Sequence, residues 1–260
     1  MMTHVIAVAN EKGGVAKTTT VASLAGALVE CGQDVLAIDL DAQANLTMAL
    51  GINPSSLRRS ISDVLLNAVT PLSASRGTSI PGLDIIPASE EMIMAERFLP
   101  IRHKYQWLLK NSIHSLRSYD FILLDCPPSL GAVTTNALTA AHTLIIPTQA
   151  EYFSVHALKS TISTVQRIRK QTNAKLDYQL LITMLDIRNR IHKSLADQLQ
   201  NNFRGRIFHT VIGIDTKLRE SSVAGLPITH YHAKCRSACQ YSALTQEIVR
   251  NVYEKTAQPA

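Results

Sequence analysis

The chain has 260 residues, a mass of 28.5 kDa and 46% apolar residues, enough to bury a sizeable core and too apolar for intrinsic disorder. Its longest strand-like apolar runs, such as Val5 to Ala9 and Phe121 to Leu124, fall far short of the roughly 18–20 residues that a membrane-spanning helix needs. The formal charge of +6 is unevenly spread, with 10 Lys and Arg against 12 Asp and Glu in residues 1–150 and 16 against 8 in residues 151–260, so a polyanion partner would meet the C-terminal part.

In chain order, the first expected strand is His4 to Asn10, followed by a glycine turn and a helix carrying Ala22, Leu24, Ala25 and Leu28. A second strand, Val35 to Leu40, precedes a helix that ends near Asn67. Thr70 to Gly82, rich in Ser, Thr, Pro and Gly, reads as a surface loop leading to a strand at Leu83 to Pro87. Further strands are expected at Phe121 to Asp125, Thr143 to Pro147 and Tyr178 to Leu185. Between the last two, Val155, Leu158, Ile162, Val165 and Ile168 recur every three or four residues and put one apolar stripe on a helix over about 152–171. Leu244, Ile248 and Val252 do the same in a final helix. Nearly all-apolar strands alternating with helices imply an α/β fold, a doubly wound and mostly parallel sheet with helices on both faces. Neither an internal repeat nor a linker interrupts the pattern, and residues 1–260 read as one domain.

The turn after the first strand is Glu11-Lys12-Gly13-Gly14-Val15-Ala16-Lys17-Thr18-Thr19-Thr20. It departs from the ordinary phosphate loop G-x-x-x-x-G-K-[ST], because Glu11 and Ala16 occupy both glycine positions. The chemistry survives the departure. Gly13 and Gly14 let the backbone turn its N–H groups inward, and a helix N-terminus adds partial positive charge for an anion. Lys17 is then placed to reach terminal phosphates, and the Thr18 hydroxyl to hold a bridging Mg²⁺.

Two strands end in acids. Asp39 and Asp41 lie two apart at the end of the second, where open α/β sheets bind ligands, and should face apart as the strand ends. By themselves they fit a metal site or a turn equally. Asp125 closes the run Phe121-Ile122-Leu123-Leu124 ahead of Cys126-Pro127-Pro128, the pattern of an acid that holds Mg²⁺ through water beside a phosphate loop.

The string K-G-G-x-x-K-T-T resembles the deviant Walker A loop of the ParA/MinD family of ATPases, and the blocks at 147–153, 181–188 and 217–220 resemble those of its short, Soj-like ParA members. The resemblance implies an ATP hydrolase with ATP and Mg²⁺ as cofactors, its nucleotide held by Lys12, Gly13, Gly14, Val15, Ala16, Lys17, Thr18 and Thr19. It implies that Lys12 crosses a dimer interface to the partner's nucleotide, where an extra positive charge would stabilise phosphoryl transfer. It further implies a second-shell magnesium role for Asp39, beside Thr18 and Asp125, and orientation of the attacking water by Asp41. In Soj-like members two basic positions 29 apart bind DNA without sequence preference, and the resemblance implies the same for Arg188 and Lys217, which stand at the matching places. Gly213-Ile214-Asp215 replaces a family Pro-Arg-Asn, which puts Asp215 at a position lining the adenine and removes one arginine. The function implied is an ATP-dependent sandwich dimer that coats nucleoid DNA and partitions or positions a cargo, released by a ParB-like activator.

A MinD-like membrane-surface regulator is the alternative, but MinD proteins end in a basic amphipathic helix, whereas Glu254 to Ala260 is polar. Small-molecule ligases share the fold and lack the C-terminal blocks. The start, Met1-Met2-Thr3-His4, has no basic residue ahead of its short apolar run, so a cytoplasmic protein is expected, with no membrane partner and its cysteines reduced. His230, His232, Cys235 and Cys239 offer four metal-ligand types at local spacing without the usual C-x-x-C pair. They read instead as a loop entering the last helix, with Cys239 on its buried side.

Overall fold

The computed structural model describes residues 3–151 and 154–257. The strands are β1 His4–Val8, β2 Val35–Asp39, β3 Arg76–Gly77, β4 Leu83–Ile86, β5 Phe121–Asp125, β6 Thr143–Gln149 and β7 Asp177–Thr183. The helices are α1 Lys17–Glu30, α2 Asn45–Ala49, α3 Ile61–Asn67, α4 Pro71–Ala74, α5 Met92–Phe98, α6 Leu108–Ile113, α7 Ala132–Ala140, α8 Ser154–Gln171, α9 Arg190–Asn202, α10 Lys217–Val223, α11 Ile228–Tyr231 and α12 Arg236–Ala257. They build one seven-stranded sheet of order β3-β4-β2-β5-β1-β6-β7, parallel except for the β3–β4 edge pair.

Alternation along each strand divides the core into two layers, as the period of two requires. Ile6 and Val8 of β1 join Val35 and Ala37 of β2 on one face, under Leu24 and Leu28 of α1 and Tyr241 and Leu244 of α12. Val5 and Ala7, with Leu36 and Ile38, face the other way, toward α3, α5, α6, α7 and α8. Helices thus cover both faces, and each strand is apolar on both sides for that reason. Gly26 lets α1 lie close to the segment that opens α11, since a Cβ there would fall 2.5 Å from Pro227 Cβ and 2.7 Å from Thr229 Oγ1.

The six expected strands are all present, β5 with the expected bounds and the other five with shifted ends. β1 stops at Val8, and Asn10 instead turns the chain, accepting from Lys12 N and donating to Pro147 O. β7 stops at Thr183 because Met184 adopts a left-handed backbone (φ 54°) that a strand cannot continue. The stretch 70–82 is more ordered than a surface loop: it holds the one-turn helix α4 and the edge strand β3, whose only two residues pair with Asp84 and Ile85. Leu158, Val165 and Ile168 of α8 are buried as the stripe requires, while the side chain of Val155 lies outside the described residues. α12 runs on to Ala257, so the segment read as a polar tail is helical at its start, with Leu244 and Ile248 buried and Val252 packed against the core. Cys239 corrects the sequence reading, since it is exposed: on α12 the buried side is set by Ala238, Tyr241 and Leu244, and Cys239 falls outside that arc. Among the described residues no three His, Cys, Asp or Glu side chains converge as a metal site, at His230–Cys239 or elsewhere.

Candidate active site: a phosphate loop facing buried carboxylates

A cleft of about 570 Å³ opens over the C-terminal ends of the central strands. One wall is the loop from β1 to α1, and the opposite wall is Ile212 to Ser222. The loop has the geometry of an anion cradle although its sequence is irregular. Gly14 takes a left-handed backbone (φ 70°), and so does Ala16 (φ 66°, ψ 34°), immediately before the first turn of α1. Ala16 thus reproduces with an L-residue the conformation that the ordinary motif assigns to glycine, at a steric cost of roughly 1–2 kcal/mol. Val15 turns its side chain into the core, and its carbonyl accepts from Thr183 Oγ1, which ties the loop to the end of β7.

Lys17 and Lys12 lie in different surroundings. Lys17 is buried, and its Nζ donates to Lys12 O at 3.0 Å, inside the curl of the loop. Burial pulls its pKa down, an effect opposed by Asp125, Cys126 and Asp41. Lys12 is half-exposed at the mouth. Its Nζ donates to Gln149 Oε1 at 2.7 Å and to Glu151 Oε2 at 2.5 Å, away from the cleft.

The carboxylates separate as the sequence suggests. Asp41 lines the cleft, and its Oδ1 accepts from Gln43 N. Asp39 is fully buried and has no face on the cleft, for its oxygens accept from Asp41 N, Thr47 N and Thr47 Oγ1. Asp125 sits opposite Asp39 in register on the neighbouring strand. Its Oδ2 accepts from Thr18 Oγ1 at 2.7 Å, whereas its Oδ1 is buried with no partner among the described residues. Burial pushes the Asp39 carboxyl up to about 6 against the pull of its Thr47 hydrogen bonds; burial and the Asp39 charge push Asp125 well above the carboxylate range. Two crowded carboxylates, one with an orphaned oxygen beside a threonine hydroxyl, suit a divalent cation held by Thr18 and, through water, by Asp125.

Asp215 is at the far wall, where its carboxylate accepts from Lys217 N and from Ser237 Oγ and N, which leaves the side chain fixed. Sequence reading missed Arg219 and Ser222 as cleft residues. The signal was present: Asp215, Leu218, Arg219 and Ser222 recur at three and four, so one face of α10 and the residues before it meets the cleft. Gln43, two residues beyond Asp41 in the same acidic string, and Met184, within the 181–188 block, also line it, as does Asn45, which carried no signal of its own. Arg188, in the turn after β7, and Lys217, the first residue of α10, lie outside the cleft, and the chain ahead of α10 meets the end of β7 through the hydrogen bond from Ile214 N to Leu185 O. Each is paired with an acid of its own segment. Arg188 grips Asp186 with Nε and Nη2 at 3.0 Å each, holding that carboxyl down at about 2, and Lys217 Nζ donates to Glu220 at 2.7 Å. Tyr152 and Phe153 of the 147–153 block lie outside the described residues.

A doubly wound sheet whose first loop curls around one lysine and whose neighbouring strand ends in a buried aspartate beside the loop's threonine defines a P-loop ATPase. The AAA domain family matches residues 3–178. The chain is 34% identical over 261 residues to the chromosome partitioning protein ParA of Caulobacter vibrioides, covering 99% of this chain and 98% of that one. It is 35% identical over 252 residues to the sporulation initiation inhibitor protein Soj of Bacillus subtilis, covering 96% and 100%. The structure of cobyrinic acid a,c-diamide synthase from Mycobacterium smegmatis with bound ATP analog and magnesium superposes with a TM-score of 0.86 at 33% identity, over 96% of this chain and 95% of that one. The chain belongs to the ParA/MinD family of ATPases and is Soj-like within it.

Proposed function

We propose that the chain is a ParA-type partition ATPase that forms a sandwich dimer on ATP, binds nucleoid DNA without sequence preference and positions a cargo under control of a ParB-like activator. ATP and Mg²⁺ are its cofactors. Bound Mg²⁺ would supply charge neutralisation across the terminal phosphates. The residues of the chain do the rest: the Gly13–Thr19 backbone and the α1 N-terminus hold the phosphates, Lys17 turns from Lys12 O to meet them, Thr18 and Asp125 hold the cation, and Asp39 braces the turn that carries Asp41. Asp41, on the cleft wall, orients the attacking water. Asp215 and the Ile212–Ile214 wall stand where the base would rest.

The observation that carries the dimer reading is the separation of the two lysines. Lys17 already occupies the loop, whereas Lys12 is turned to Gln149 and Glu151, and that difference supports a role for Lys12 outside its own cleft. A terminal phosphate contacted from both subunits would stabilise the dimer alone, and its loss would return the population to monomers. The partition role rests on full-length similarity to ParA and Soj, and the basic balance of residues 151–260 supports a DNA partner.

Cosedimentation with plasmid DNA and with anionic liposomes, each with ATP and with ADP, tests the reading. ATP-dependent pelleting with DNA of any sequence is expected. Pelleting with liposomes only selects the MinD-like regulator, and pelleting with neither removes the DNA-based mechanism.

A further inference from the structure

A second cavity lies at the opposite end of the central strands from the nucleotide cleft, and no step above uses it. It measures about 520 Å³ and opens between the starts of β1 and β5, the end of α7, α6 with the turn after it, and the chain that joins α8 to β7. Its floor is apolar: Val5, Ile113, Ile122, Ala140 and Ala141 line it, and all five are buried in the core.

Its rim is basic. Lys110, His114, Arg117 and Lys175 stand around the mouth, all exposed, and no Asp or Glu is among the lining residues. The four make no side-chain hydrogen bond or ion pair among the described residues, unlike Lys12, Arg188 and Lys217. Lys110 and Ile113 lie three apart on α6, and the turn that follows the helix brings His114 and Arg117 to the same mouth. One neutral donor is fixed beside them: His142 Nδ1 accepts from Val5 N at 2.9 Å, so the proton resides on Nε2. Burial and the nearby Lys110 charge keep the ring's pKa low and the ring uncharged.

From this arrangement we infer that the cavity is a docking site for an acidic segment of a partner protein, one apolar side chain filling the floor and flanking Asp or Glu residues meeting Lys110, Arg117 and Lys175. The volume is ample for a bulky aliphatic or aromatic anchor with adjoining backbone. A phosphate-bearing small ligand is disfavoured because the cations are spread around an exposed mouth, without a buried cation converging on one point. DNA is disfavoured because a recessed apolar floor offers nothing to a phosphate backbone. Electrostatic complementarity of this kind sets encounter rate and partner choice, while the buried anchor supplies most of the affinity.

The test selects phage-displayed random peptides on the full chain and measures the enriched peptides, fluorescein-labelled, by anisotropy against wild type and Lys110→Glu/Arg117→Glu. Enriched sequences should combine Asp or Glu with one large apolar residue, and the double variant should bind them at least tenfold more weakly while its ATPase rate matches wild type. Lys175→Glu, a single exposed change, should weaken binding in the same direction. Failure to enrich any peptide, enrichment of basic sequences, or equal binding to wild type and both variants would overturn the inference. So would loss of DNA binding by the double variant with peptide binding intact, which would assign the rim to nucleic acid.

Discussion

Lys12 Nζ and the Glu151 carboxylate meet at 2.5 Å beside the phosphate loop and outside the cleft, a contact that spans 139 residues and holds the lysine within its own subunit. If Lys12 acts across a dimer interface, this pair must open first. A half-exposed pair is worth less than about 1 kcal/mol, so Glu151→Gln should favour the ATP dimer by up to about fivefold and no more. Light scattering over a protein dilution series measures the shift. Lys12→Ala should bind ATP and stay monomeric, whereas Lys17→Ala should lose ATP altogether; equal loss of ATP by both would place Lys12 in its own subunit's site.

The orphaned Oδ1 of Asp125 sets a trade between stability and cation binding. Its carboxyl is raised in the folded chain, so ionisation opposes folding: the penalty grows as pH rises above the ordinary carboxylate range and is complete above the folded pKa. Asp125→Asn removes that penalty and keeps an acceptor for Thr18. The cation-free variant should melt a few degrees above wild type at pH 7.5, about 2–4 °C per kcal/mol, and show no further rise with Mg²⁺ and ATP. A wild-type-sized thermal shift with Mg²⁺ and ATP would remove Asp125 from the cation site.

Ala16 tests whether the left-handed turn before α1 is required. Glycine there relieves strain of roughly 1–2 kcal/mol and gives back about 0.5–1 kcal/mol in the unfolded chain. Ala16→Gly should therefore be neutral to slightly stabilising with ATP affinity unchanged. Ala16→Val, β-branched, should lose at least about 1 kcal/mol and most nucleotide affinity. Thermal melts and nucleotide titration of both variants decide it.

Asp41→Ala removes a cleft carboxylate whose hydrogen bond closes its own turn at Gln43 N and which touches the phosphate loop only through its charge on Lys17, among the described residues. ATP binding should survive, turnover should fall by at least tenfold, and protein should accumulate as dimer on ATP. A monomer that retains ATP would contradict the water-orienting role of Asp41.

Arg188 and Lys217 must release Asp186 and Glu220 to meet phosphates. Lys217→Ala removes two contacts per dimer, so the slope of log K against log salt should shrink by about 1.8, at about 0.9 per contact, equally on unrelated duplexes. Glu220→Gln should instead strengthen DNA binding by freeing the lysine. Unchanged slopes for Lys217→Ala and Arg188→Ala would move the DNA surface elsewhere.

Much of this protein is determined by local chemistry that a chain carries with it. Strand-length apolar runs, the K-G-G-x-x-K-T-T turn ahead of an Ala and Leu helix, and Asp125 after four apolar residues each state their structure within about ten positions, because period and turn preference act over that range. The doubly wound sheet and the phosphate loop are legible for that reason. What needed tertiary structure is every relation between segments far apart in the chain. Glu151 reaches Lys12, Thr18 reaches Asp125, and Asp215 to Ser222 closes the cleft only because the end of β7 ties to the loop after β1 and the chain beyond it folds back across that loop. The exposure of Cys239 and the basic-rimmed cavity below the sheet were equally invisible, since burial depends on which neighbours cover a residue and a one-dimensional pattern holds no record of them.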